Sequence, residues 1–291
     1  MFQGSMTALI TPFRGGMVDE KAFAALVETQ IAAGIHGLVP CGTTGESPTL
    51  SHDEHRKVVK LCVEVAAKRV PVIAGAGSNS TAETIGLVQF AKEVGADAAL
   101  CVAGYYNRPS QEGLYQHFKA VTEAVALPVF LYNIPGRAVV DIGVETMGRI
   151  AKLAHIAGVK DATGDLGRVP RQREACGPDF IQLSGNDDSQ IGFNAQGGRG
   201  CISVTSNIAP ALTARMQEAA LRGDYKTARE IDDRLFDLHR ALFLEPSPGG
   251  AKYAASLLGL CTPDVRLPIL TLSEPAKDQI RKAMARAGLN V

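Results

Sequence analysis

The sequence lacks an excess of charge of either sign. Its 30 lysine and arginine residues balance 30 aspartate and glutamate residues. A chain without net charge has no general attraction to nucleic acid or to an anionic membrane surface. We therefore expect its partners to be small uncharged or mixed-charge metabolites.

Long apolar runs, a basic leader segment and paired cysteines are also missing. No run approaches membrane-spanning length, and no cleavage motif follows the N-terminus. The six cysteines are scattered, with no C-x-x-C spacing, which fits a reducing compartment better than a disulfide framework or a zinc site. We expect a soluble cytoplasmic protein.

Motifs for common cofactors are incomplete or missing. Gly75 and Gly77 follow a predicted strand, but Ser80 stands where a dinucleotide fingerprint has its third glycine. A Walker-type phosphate loop is absent. His52 and His55 share one helix face, yet two histidines without a third ligand make a weak metal site. We expect neither a metal nor an organic cofactor.

Short apolar runs alternate with longer helical patterns eight times along the chain. Unbroken apolar strands that are each followed by a helix are typical of a parallel sheet covered on both faces, and eight units favour closure into a (β/α)8 TIM barrel. The predicted strands are Met6–Ile10, Gly37–Pro40, Val72–Gly75, Ala98–Val102, Val129–Tyr132, Ile156–Lys160, Ile181–Leu183 and Gly200–Val204.

Helical patterns lie between these strands and dominate the last third of the chain. Ser51 and Glu54 form a capping-box sequence, and Ser80 and Glu83 have the same spacing. From residue 209 onward the pattern is wholly helical. We therefore divide the chain into a barrel over 1–208 and a docked helical C-terminal region over 209–291.

Lys160 is the most informative single residue, because it ends an almost wholly apolar strand. An unpaired ammonium is costly to bury, so such a lysine is usually paired or used. An amine in an apolar pocket loses its proton more easily, and a neutral amine attacks carbonyl carbon. Lys160 is our candidate imine-forming residue; the alternative is a surface lysine that merely follows a strand.

Other polar groups follow neighbouring strands, at the barrel end where active sites lie. Thr43 and Thr44 stand in a glycine-flanked loop that suits carboxylate binding, or that simply caps the next helix. Tyr106 and Tyr132 have phenols suited to proton transfer, or are amphipathic rim residues. Arg137 is able to clamp a carboxylate in bidentate fashion, or is an ordinary loop arginine.

Four motifs make the chain resemble a known family. They are Gly42-Thr43-Thr44-Gly45-Glu46, Tyr105 to Gly113, Tyr132-Asn133-Ile134-Pro135-Gly136-Arg137 and Gly158 to Gly164. This set resembles the pyruvate-dependent class I aldolase superfamily and, within it, the dihydrodipicolinate synthase family. The likeness extends over essentially the whole chain.

The resemblance implies a condensing lyase of lysine (diaminopimelate) biosynthesis that joins pyruvate to aspartate semialdehyde. Lys160 would form the imine, with Tyr132, Thr43 and Tyr106 moving protons. Substrate carboxylates would be held by Thr44, Arg137, Ile202 and Gly185. Tyr106 would reach in from a neighbouring subunit, which implies a homotetramer built as a dimer of dimers.

A regulatory site for L-lysine is also implied by the resemblance. Its residues would be Ser47, His52, His55, Asn79, Glu83 and Tyr105. The alternative for these residues is a set of ordinary helix-cap polar groups at a subunit interface.

Two other functions stay open on the sequence. One is a related aldolase acting on a keto sugar acid, similar to N-acetylneuraminate lyase or keto-deoxygluconate aldolase. The other is a non-catalytic barrel that binds a keto acid, although a binding protein has no use for a proton relay.

Overall fold

The structure is a computed structural model that describes residues 2–290, and within them one sheet of eight parallel strands forms the centre. The strands are short, largely buried and rich in small or β-branched residues. They are β1 (Gly4–Ala8), β2 (Gly37–Val39), β3 (Ile73–Gly75), β4 (Ala98–Val102), β5 (Val129–Asn133), β6 (Ile156–Asp161), β7 (Ile181–Ser184) and β8 (Gly200–Ser203).

The sheet curls into a nearly closed barrel. Its strand order is β2-β1-β8-β7-β6-β5-β4-β3. The two end strands meet through a parallel bridge between Leu38 and Val72 and a hydrogen bond from the Gly75 N–H to the Pro40 carbonyl. Pro71, two residues before β3, also takes part in this seam, because its carbonyl accepts from the Leu38 N–H at 3.0 Å. The predicted TIM barrel is confirmed.

Twelve α-helices accompany the strands in the described residues. Eight surround the barrel, one is the single turn α5, and three form the C-terminal end. In chain order, the twelve helices are α1 (Glu20–Ala32), α2 (His52–Ala66), α3 (Thr81–Glu93), α4 (Gln111–Ala124), α5 (Pro135–Ala138), α6 (Val144–Ile150), α7 (Arg168–Cys176), α8 (Gln190–Ala195), α9 (Pro210–Leu221), α10 (Tyr225–Ala241), α11 (Gly249–Leu257) and α12 (Glu274–Arg286). A small hairpin pairs Phe13–Arg14 with Met17–Val18. None of the helices within residues 2–290 is both long enough and apolar enough to cross a bilayer.

Helix α9 lies against β1 and β8, and so completes the eighth β/α unit. Helices α10, α11 and α12 follow it and pack on one another. The division of the chain at 208/209 stays a prediction.

Strand β1 begins earlier than the predicted Met6–Ile10. The Gly4 N–H donates to the Arg199 carbonyl, and Gly4 pairs in register with Gly200. Ile10 instead donates its N–H to the side chain of Asn207 at 3.1 Å. The strand therefore ends before the last residues of the apolar run.

The two predicted capping boxes differ in outcome. Ser51 and Glu54 form both reciprocal bonds at the start of α2. At α3 the Ser80 hydroxyl accepts from the Glu83 N–H, but the Glu83 carboxylate turns to the Ser78 hydroxyl and to His52. The second box is therefore only half formed, because Glu83 is drawn into a neighbouring cavity.

Candidate active site

Lys160 and Tyr132 occupy paired positions on β6 and β5. They face each other directly in the parallel register, so their side chains leave the sheet on the same side. Both residues are 6% exposed, and the Lys160 Nζ lies 4.3 Å from the centroid of the Tyr132 ring. The register of the strands thus places an amine against a phenol inside the barrel.

A cavity of 620 Å³ opens over this pair. It is large enough for a small metabolite. Six of the residues predicted from the sequence line it: Thr43, Thr44, Tyr132, Arg137, Lys160 and Gly185. The tertiary fold therefore brings together groups that lie far apart along the chain.

Thr44 is buried, whereas the Arg137 side chain lies exposed at the mouth of the cavity. Thr44 belongs to the loop after β2, and Arg137 to the one-turn helix α5 after β5. A hydroxyl inside and a guanidinium outside provide two separate places to hold a carboxylate.

Two predicted residues lie outside this constellation. Tyr106 is 91% exposed, with a left-handed φ of 68°, and its side chain points away from the body of the chain. Ile202 is buried in β8, where it pairs with Met6. Val204, the residue directly after β8, lines the cavity at this point.

A second cavity of 470 Å³ adjoins the first. Ser47, His52, His55, Glu83 and Tyr105 line it, and Asn79 lies beside it, donating from its side chain to the Tyr105 carbonyl at 3.3 Å. Four residues line both cavities: Thr43, Tyr132, Ile134 and Arg137. The two cavities therefore share a wall.

The second cavity contains one carboxylate, that of Glu83, and two histidines, of which one is exposed and the other buried. Glu83 Oε1 lies 3.2 Å from the exposed His52 Nε2. His55 is buried, and its Nε2 lies 2.9 Å from the Gly75 carbonyl, to which a protonated nitrogen donates. Burial lowers the pKa of His55 because it disfavours the charged imidazolium. Across the described part of the chain, no three His, Cys, Asp or Glu side chains converge as metal ligands.

A buried polar network fixes the ends of β5 and β6. The Asp161 carboxylate accepts from the Gln172 amide at 2.6 Å and lies 3.3 Å from the Arg168 Nε. Arg168 also pairs with Asp141 at 2.9 Å, which in turn accepts from the Asn133 amide at 2.7 Å. Because Asp161 and Asn133 directly follow the lysine and the phenol in sequence, this network holds both groups in place.

Asp187 is a functional candidate that sequence reasoning missed. It is buried, lines the larger cavity, and its carboxylate accepts from the Ser203 hydroxyl at 2.5 Å and from the N–H groups of Val204 and Thr205 at 2.8 and 3.2 Å. The sequence signal that could have identified Asp187 is its position just after β7, two residues beyond Gly185, at the barrel end where active sites lie.

The C-terminal region also supplies cavity residues that the sequence did not reveal. They are His239, Arg240, Phe243 and Ser247. No motif marks them, because which face of α10 meets the barrel is set by packing between distant segments.

Comparisons with known proteins agree with this geometry. Residues 1–287 match the model of the family described as "Dihydrodipicolinate synthetase family". The chain belongs to this family. A 4-hydroxy-tetrahydrodipicolinate synthase from Parvibaculum lavamentivorans is 62% identical over 289 residues, which cover 99% of both chains.

Solved structures within the family have the same fold. The dihydrodipicolinate synthase of Acinetobacter baumannii, solved in complex with pyruvate, has a TM-score of 0.97 and 43% identity, with 100% of both chains covered. The enzyme of Cyanidioschyzon merolae, solved with lysine bound, has a TM-score of 0.96 and 37% identity, with 99% of both chains covered.

Proposed function

We propose that this chain condenses pyruvate with L-aspartate 4-semialdehyde to give 4-hydroxy-tetrahydrodipicolinate, the first committed step of lysine biosynthesis. The decisive observation is the buried Lys160 amine beside the Tyr132 phenol, in a cavity that also contains Thr44 and Arg137. The names of the relatives favour this reaction over cleavage of a keto sugar acid. The chain is a lyase of the Schiff-base aldolase type.

Lys160 would open the reaction as a nucleophile. Its neutral amine attacks C2 of pyruvate, and the carbonyl oxygen leaves as water, which forms an imine. Loss of a proton from the pyruvate methyl group then gives an enamine, with the imine nitrogen accepting the electron pair. The enamine carbon attacks the aldehyde carbon of the second substrate.

Ring closure would release the lysine. The amino group of the second substrate attacks the imine carbon and displaces the Lys160 amine, which regenerates the enzyme. The imine itself is the electron sink throughout. Arg137, exposed at the mouth of the cavity, is suited to hold the carboxylate of the second substrate.

Tyr132 would move the protons that these steps require. Its ring lies against the Lys160 amine, and Thr43 lines the same two cavities, which supports a relay between them. Ile202 and Gly185 would help to bind the pyruvate carboxylate together with Thr44; Gly185 lines the cavity and Ile202 lies in the adjoining strand.

Tyr106 would complete the relay of a neighbouring subunit. A tyrosine that is 91% exposed in one chain has its side chain free to enter another. We therefore include a homotetramer, arranged as a dimer of dimers, in the proposal. A cytoplasmic location is part of it too, supported by six cysteines that are all free thiols.

The second cavity would bind L-lysine as a feedback inhibitor. Glu83 offers a carboxylate for an ammonium group, while His52, His55, Ser47, Asn79 and Tyr105 surround it with polar groups. The relative solved with lysine bound supports this assignment. Because this cavity shares Tyr132 and Arg137 with the first one, a ligand there would contact groups of the active site directly.

Borohydride trapping tests the central step. The protein is incubated with pyruvate, reduced, digested and mapped by mass spectrometry. We expect a reduced pyruvate adduct on Lys160, and none in Lys160→Ala. A folded wild-type protein that gives no adduct would overturn the proposal. A screen of aldehydes then identifies the second substrate, with a keto-deoxy sugar acid as the competing candidate.

A further inference from the structure

The loop that contains both threonines of the site has an unusual backbone. This threonine loop (residues 41–47) begins at Cys41 and turns at Glu46, and both have left-handed φ values, 55° and 56°. Such values are costly for residues other than glycine, so they persist only where the surroundings impose them. The conformation of the loop therefore depends on outside contacts.

The Glu46 side chain supplies the first of these contacts. It is buried, and its Oε1 lies 2.5 Å from the Nζ of Lys252 in helix α11, which is also fully buried. The same Nζ donates to the Asp264 carbonyl at 2.8 Å and lies 3.8 Å from the centroid of the Phe13 ring. Glu46 is thus joined to the C-terminal region by an ion pair from which water is excluded.

A second contact comes from Arg266, in the segment between α11 and α12. Its backbone N–H donates to Glu46 Oε2 at 3.0 Å, so both oxygens of that carboxylate have partners. Its guanidinium donates to the Thr49 carbonyl at 2.8 Å and to both carboxylate oxygens of Glu54. The end of the threonine loop and the start of α2 are therefore bound to the same C-terminal segment.

The anchor at Glu46 is connected to Thr43 by a single turn. The Glu46 N–H donates to the Thr43 carbonyl at 3.1 Å, and the Gly45 N–H donates to the Gly42 carbonyl at 3.1 Å. Thr44 lies inside this turn. A displacement of the Glu46 backbone would therefore be transmitted to Thr44, which lines the Lys160 cavity.

We propose that Glu46 and Lys252 are positioning residues that set the Thr44 hydroxyl for binding the pyruvate carboxylate, so that the C-terminal region controls pyruvate affinity. This inference rests on the proposed function. It gives the C-terminal helices a part in the chemistry although they contribute no reacting group. Burial lowers the pKa of Lys252, and the neighbouring Glu46 carboxylate opposes that shift.

The test compares three variants with the wild-type protein. Glu46→Gln keeps the shape of the side chain but removes its charge. The double variant Glu46→Gln with Lys252→Met removes both charges at similar volume, which avoids an unpaired buried charge. Val121→Ala, buried in α4 on another side of the barrel, is the control for loss of stability alone.

Two assays are made with each variant. The first gives the pyruvate concentration for half-maximal borohydride trapping, and the second gives kcat and the KM for each substrate. We expect both charge variants to raise the half-maximal pyruvate concentration and the pyruvate KM at least tenfold. We expect kcat at saturating pyruvate to fall less than threefold, because Lys160 and Tyr132 are held by other contacts. Val121→Ala should leave these values unchanged.

An unchanged half-maximal concentration in a folded charge variant overturns the inference, as does an equal shift in Val121→Ala. If neither charge variant folds, Glu46→Asp replaces them, since it keeps the buried charge but withdraws the carboxylate from Lys252 by one methylene group; a pyruvate KM within twofold of wild type would then overturn the inference. Failure of the proposed function looks different, because the wild-type protein itself would then trap no pyruvate.

Discussion

Neutralising Glu54 should destabilise the protein in a pH-dependent way. Arg266 donates to both oxygens of this carboxylate, and these hydrogen bonds lower the pKa of Glu54 from 4.5 to about 2. The Ser51 N–H also donates to it, at 2.9 Å. We expect Glu54→Gln to keep the capping geometry, because glutamine also serves in a capping box, and to lose the charge.

The size of the effect follows from the two pKa values. Because the folded-state pKa is the lower one, the ionised carboxylate stabilises the fold above pH 4.5, and this contribution is lost as the pH falls toward 2. At roughly 1.4 kcal/mol per pKa unit the unscreened shift corresponds to about 3 kcal/mol at pH 7. Because the pair is partly exposed, solvent screening reduces the expected loss to about 1 to 2 kcal/mol at pH 7, and to less than half of that near pH 3.

Urea denaturation at pH 7 and pH 3, at one protein concentration, measures the difference between Glu54→Gln and the wild-type protein. Glu28→Gln is a matched control, because Glu28 pairs with Arg69 at the surface and its loss should cost much less. A difference for Glu54→Gln that stays constant between the two pH values would refute the reasoning, since the loss would then not arise from ionisation.

Three further predictions concern the site and its supports. Tyr132→Phe should lower kcat about 10²- to 10⁴-fold while borohydride still traps pyruvate on Lys160, as expected for loss of a proton carrier; unchanged turnover would exclude that role. Arg168→Met should cost about 3 to 5 kcal/mol in denaturant unfolding at pH 7, because it leaves the Asp161 charge buried and unpaired, whereas a loss below about 1 kcal/mol would contradict the network. Gly158→Ala should lower the free energy of unfolding by about 1 to 3 kcal/mol, since the added Cβ would overlap the Ile181 carbonyl oxygen of β7. A thermal unfolding midpoint equal to that of the wild-type protein would contradict this, because it would mean that β6 and β7 accommodate the methyl group without cost.

Much of the barrel was predictable because its signal is local. A buried parallel strand reads as a short apolar run, so the extents of β4 and β6 were close to their predicted ranges. The ends of β1 were misplaced; at its C-terminal end the Ile10 N–H donates to a distant side chain, that of Asn207, and not to a neighbouring strand. The same limit applies to Glu83, whose local capping role is overridden by contacts with the Ser78 hydroxyl and with His52 of α2.

The sequence by itself determined the barrel and the lysine, tyrosine and threonine set, because polar residues that end apolar strands of a parallel barrel must meet at one rim. Only the tertiary structure decided which side chains touch. It placed Lys160 against Tyr132 through the strand register, and it left Tyr106 in solvent. It also joined Glu46 to Lys252 across 206 positions of sequence, a pairing that no local pattern encodes, because burial and partner choice are properties of the packed chain.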